Sequence, residues 1–132
     1  MKYFSIAELC KSTTADRLGI NNKCSQEHVV NLTALADNVL DPLRTWHGKP
    51  LTVSSGYRCP ALNKAVKGSA TSQHMTGQAA DIDTGDRQQN KLLFEYIRKN
   101  LPFDQLIDES NFAWVHVSFR ADGKNRNQVL SL

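Results

Sequence analysis

Several things are missing from this chain, and each absence removes a class of protein. No apolar run approaches the length of a transmembrane helix. The opening Met1-Lys2-Tyr3-Phe4-Ser5 lacks the apolar segment of a signal peptide, so synthesis in the cytoplasm is expected, with any route to an outer compartment left open. The basic residues form no stripe, and a net charge of +3 steers only weakly, so no nucleic-acid partner is expected. Cys10, Cys24 and Cys59 are odd in number and show no C-x-x-C spacing, which predicts free thiols in a reducing compartment. Repeats, low-complexity tracts and linkers are also absent. The 132 residues therefore read as one domain, 1–132, large enough for one buried core, and as a monomer without membrane insertion.

What is present is a periodic α+β pattern. Ser5 and Glu8 bracket a short helix over 4–11, and Ser12 to Asn22 reads as a polar connection with turns. Ser25 opens a longer helix whose stripe is Val29, Leu32, Ala36, Val39 and Leu43, with Pro42 as a kink or last turn. Strands are predicted at 51–54, 78–83, 103–109 and 114–119. A short helix follows Pro60, and another follows Asp86 with Leu92, Leu93, Tyr96 and Ile97 inward. Trp46, Phe94, Tyr96 and Phe103 are expected in the core, and the tail from Ala121 is polar until Val129-Leu130. The fold expected is helices packed on a small, mainly antiparallel sheet.

The chemistry gathers in Ser72-Gln73-His74-Met75-Thr76-Gly77-Gln78-Ala79-Ala80-Asp81 and in Trp114-Val115-His116-Val117-Ser118-Phe119. His74, Asp81 and His116 make a three-ligand set suited to catalytic zinc, with a fourth position open to water or substrate. Strand alternation puts Trp114, His116 and Ser118 on one face and Val115, Val117 and Phe119 on the other. If Ser110–Ala113 is a four-residue loop, Glu109 lies opposite Trp114 and Ile107 opposite His116. Glu109 is then a diagonal neighbour of His116, at about 7–8 Å, where a general base would stand. A one-residue slip would put Asp108 there instead. Arg58, at a turn after a strand, reads either as a surface arginine or as a group for a substrate carboxylate or an oxyanion. His28 and His47 read as a surface residue and a helix-end dipole partner, and Cys59 as a buried thiol.

Taken together, Ser55-Gly56-Tyr57-Arg58, Ser72-x-His74-x-x-Gly77-x-Ala79-x-Asp81 and Trp114-Val115-His116-Val117-Ser118 resemble the zinc D-alanyl-D-alanine carboxypeptidase family. That family shares a superfamily with lysostaphin-type peptidases and the hedgehog signalling domain, and the resemblance runs from about Leu51 to Phe119. It implies a zinc (Zn2+) metallopeptidase acting on stem peptides of bacterial peptidoglycan, either trimming terminal D-Ala or opening stem peptides. It also implies that His74, Asp81 and His116 bind the metal, that Arg58 contacts the scissile carbonyl or a substrate carboxylate, and that Ser72 contacts substrate. Many members carry the base three residues before the last histidine; here that place is Ala113, and Glu109 is the acid expected to serve. The compact chain is similar to stand-alone phage or mobile-element wall hydrolases. The departure at Ala113 leaves room for a zinc-stabilised binding module of the hedgehog type.

Overall fold

A computed structural model describes residues 1–132. Six α-helices surround one five-stranded sheet: α1 Ile6–Cys10, α2 Thr13–Leu18, α3 Gln26–Leu35, α4 Asp41–His47, α5 Pro60–Ala65 and α6 Arg87–Asn100. The strands are β1 Thr52–Ser55, β2 Ala79–Asp83, β3 Gln105–Glu109, β4 Trp114–Ser118 and β5 Gln128–Ser131, in the spatial order β1-β2-β4-β3-β5. Every pairing is antiparallel except β3 with β5. The expected α+β architecture is the one observed.

Local chemistry explains most boundaries. Ser5 caps α1 by accepting from the Glu8 amide, and Ser25 caps α3, where the His28 ring returns the bond to the Ser25 amide. The long helix does continue past residue 35, through a π-helical turn at Ala36–Leu40. That widening sits just before Pro42, which has no N–H to give and whose ring crowds the carbonyl four residues back. Leu32, Ala36, Val39 and Leu43 of the predicted stripe are fully buried. They pack with Leu9, Leu93, Ile97, Leu106, Val115 and Val117 to form the core between helices and sheet.

Five expectations need correction. Ser12–Asn22 is not merely a connection: Ser12 caps α2, and Gly19 ends it in the left-handed conformation. Its apolar residues are too few to show a stripe. Cys10 and Cys24 are joined in a disulfide, leaving Cys59 as the free thiol; the backbone turn through α2 brings together two cysteines that spacing could not pair. Such a bond belongs to oxidising surroundings rather than a reducing compartment. Trp46 is 45% exposed and stacks on the half-buried Tyr96; on α6 Leu92 faces solvent, whereas Phe94 turns inward as expected. The polar tail returns as β5, which pairs Leu130 with Ile107 and adds an edge to the sheet.

Candidate metal centre

Register brings two of the three predicted ligands together. On the central pair of strands Asp81 lies directly opposite His116, so their side chains leave the sheet on one face. His74 arrives from a single 3-10 turn, Gln73–Thr76, capped at its start by Ser72 and closed by Gly77 at φ +78°. A side chain at Gly77 would also lie 2.8 Å from the His28 carbonyl oxygen, so glycine is required there twice over.

The donor atoms converge. Asp81 Oδ1 is 3.2 Å from His74 Nε2 and 3.0 Å from His116 Nδ1, and ligand atoms of all three residues lie within 4.8 Å of one another. The Gly56 carbonyl can only accept, so the 2.7 Å contact from His74 Nδ1 fixes the proton on that nitrogen. In the neutral ring Nε2 then carries a lone pair aimed at a carboxylate oxygen. Acceptors facing acceptors are unfavourable without a cation between them. This donor set of two imidazoles and one carboxylate, with one imidazole oriented from behind by a backbone carbonyl, suits a divalent metal such as zinc. Burial opposes ionisation of Asp81, but when the His116 and His74 rings carry a proton toward it they outweigh burial and hold the carboxyl well below the ordinary range.

Around this centre opens a cavity of about 660 Å³. Arg58 lines it and is held on three sides: Nε donates to Ser55 Oγ, Nη1 to Asn63 Oδ1 and Nη2 to Asp81 Oδ2. Burial lowers the guanidinium from its usual value, and the Asp81 and Glu109 carboxylates oppose that shift. Glu109 lines the same cavity, paired with Trp114 while Ile107 pairs with His116, which is the register expected of a four-residue loop. Asp108 faces the other way and accepts from the Phe112 amide, stabilising the turn. Burial pushes the Glu109 carboxyl above its ordinary value; His116 opposes this, while Asp81 and Asp108 add to it.

The other sequence candidates fall elsewhere or are otherwise engaged. Ser72 lines the cavity, yet its hydroxyl accepts from the His74 amide and so shapes the turn. His28 caps α3 and stacks on Tyr57, and His47 ends α4 away from the cavity. Cys59 is half-buried, with its amide on the Asn22 side chain.

Sequence reasoning missed the supporting residues. Asn22 donates to the carbonyls of Cys10 and Tyr57, tying the disulfide segment to the stretch that carries Arg58. Asn63 is buried beneath Arg58 and also donates to the Ser69 carbonyl. Asp104 accepts from Gln73, the neighbour of His74, and from Arg126, which stands on the cavity wall. Asn22 and Asp104 lie in loops and Asn63 in a helix too short to show a stripe, so no periodic signal marks these three.

A search of curated proteins gave no match to this chain. The sequence does match the family Peptidase M15 over residues 2–118, which spans the disulfide segment, the predicted ligands, Arg58 and Glu109. With the match extending over most of the chain, the protein belongs to the Peptidase M15 family, metallopeptidases of the zinc carboxypeptidase type.

Proposed function

We propose that the protein is a zinc-dependent peptidase of bacterial cell-wall peptidoglycan, cutting a peptide bond in the stem peptides as a D-Ala-D-Ala carboxypeptidase or an endopeptidase. The observation that carries this reading is the convergence of three lone-pair donors, His74 Nε2, Asp81 Oδ1 and His116 Nδ1, on a cavity that also holds Glu109 and Arg58.

His74, Asp81 and His116 would hold the zinc, which supplies Lewis acidity toward a carbonyl and lowers the pKa of water toward neutrality. Glu109 takes a proton from the attacking water and returns it to the leaving amine. Its pKa, raised by burial, makes the carboxylate a stronger base toward the proton of that water. Arg58, fixed by Ser55 and Asn63, meets the negative charge that develops on the scissile carbonyl oxygen, or holds a substrate carboxylate beside it. Ser72 supports this machinery through the His74 turn and borders the substrate's path. Acting on the wall, one domain of this kind works outside the cell membrane, where the Cys10–Cys24 disulfide is also at home.

The test is digestion of purified peptidoglycan by the zinc-loaded protein, with mass analysis of the fragments to identify the bond. Glu109→Gln should keep one zinc by elemental analysis and lose digestion by at least about 100-fold. His116→Ala should lose the metal. Ala113, standing where many members have an acid, supports a second reading, a zinc-stabilised binding module. One bound zinc with no fragments from the wild-type protein would favour that module and overturn the peptidase.

A further inference from the structure

The cavity extends well beyond the predicted ligands. Gln105, Ile107 and Glu109 line it along β3, and four residues of strand span about 13 Å, room for several residues of extended peptide. Glu109 and His116 mark one end. At the other end stands Arg126, in the segment that leads into β5 and outside residues 2–118 matched by the family.

Arg126 is held unusually firmly for a residue whose side chain is 51% exposed. Asp104, fully buried beneath it, accepts from the Arg126 amide and Nε at Oδ1, and from Nη2 at Oδ2. The second oxygen also accepts from Gln73 Nε2, so the carboxylate cannot swing away with the arginine. One edge of the guanidinium is consumed in this clamp. The other edge, carrying Nη1 and the second Nη2 hydrogen, has no protein acceptor and borders the cavity. A planar fork pre-set in this way donates two parallel hydrogen bonds to an incoming carboxylate with little further loss of side-chain freedom.

We propose that Arg126 is a specificity-determining residue: a carboxylate subsite that reads an acidic group on the substrate two to three residues from the bond being cut. The inference rests on the peptidase reading for its substrate class, and it assigns Arg58 and Arg126 different carboxylates. Arg126 stands beside Asp104 and Gln105, while Ile107 is the residue opposite His116. Along the strand that separation is about 7–10 Å, which sets Arg126 two to three residues of extended peptide away from His116. Leu130 and Leu132, from the same terminal segment, give the groove an apolar wall between its two ends.

The experiment uses the full chain carrying Glu109→Gln and loaded with zinc, so that binding is read without turnover. The probes are a stem pentapeptide and versions in which each free carboxyl is converted, one at a time, to the carboxamide, titrated by calorimetry. One carboxamide remote from the scissile bond should weaken binding by on the order of 10- to 100-fold. With Arg126→Gln added, the ratio of affinities for acid and amide at that position should fall to about one. Arg126→Gln leaves Asp104 buried without its partner, so Arg126→Lys is run beside it. Lysine keeps the charge over Asp104 but has no second edge, and most of the discrimination should still disappear. Discrimination that survives both variants, or a parent protein indifferent to every carboxamide, overturns the subsite. Absence of wall digestion by the unmutated protein would overturn the peptidase reading and leave the binding ratios standing on their own.

Discussion

Gly56 contributes to the centre through what it lacks. An added Cβ would lie 2.1 Å from the Leu9 carbonyl oxygen, a backbone atom that cannot swing aside. The close approach matters because the Gly56 carbonyl fixes the proton of His74 on Nδ1, and the next amide, Tyr57, donates to Leu9. Gly56→Ala should therefore destabilise the protein by about 1–3 kcal/mol. It should also weaken zinc binding by about 10- to 100-fold, because the ring loses its orienting partner. Urea denaturation and a zinc competition titration would read the two effects; an alanine variant unchanged in both would refute the account. The Ser-Gly-Tyr-Arg segment was visible in the sequence, but only the packing of α1 against it explains the glycine. His74, Asp81 and His116 are different: residue type, spacing and strand alternation already pointed to them.

Among the elements, β5 and the disulfide were the least legible, and both can be tested. Asp104 anchors β5 through Arg126, which holds its carboxyl down to about 2 from the usual carboxylate value. A carboxyl whose folded pKa is depressed stabilises the fold above the unfolded pKa and loses that contribution as pH falls through the folded one. Stability should thus drop between about pH 4 and pH 2. The loss should be about 1–2 kcal/mol after allowance for the half-exposed guanidinium, and Asp104→Asn should remove this part of the acid limb. Chemical denaturation at a series of pH values would measure it, and an acid limb identical in the variant would contradict it. The Cys10–Cys24 bond closes a loop with a sequence separation of 14, for which chain entropy gives about 3 kcal/mol. Replacing both cysteines with serine should lower stability by about that amount. An equal melting temperature would show that α1 and α2 hold without the bond. The hairpin from β3 to β4 was readable because its register follows from loop length alone. β5 was not, since a parallel partner that arrives after a polar tail carries no local turn signal.

For the molecule as a whole, the centre acts as a cross-link. Its residues come from the turn before β2, from β2 and from β4, and Arg58 bridges to them from the loop after β1. A cation that binds only the folded chain adds about 2.7 kcal/mol when present at 100 times its dissociation constant. In a domain of this size that corresponds to a melting point higher by about 10 °C. Calorimetry before and after chelation should show the drop, and added zinc should restore it. A melting point indifferent to chelator would mean that the donors hold no metal.

The sequence by itself determined the α+β class, the three converging donors and the face of β4 on which His116 stands. These follow from local rules: helical periodicity, the two-residue repeat of a strand and the chemistry of imidazole and carboxylate. Tertiary structure alone decided that Cys10 meets Cys24, that Asn63 and Ser55 pin Arg58, and that Asp104 carries Arg126 to the far wall of the cavity. Those contacts join side chains from short helices, loops and strand ends, and no single backbone period relates the partners. Their meeting is set by how the helices close over the sheet, a property of the packed chain rather than of any stretch within it.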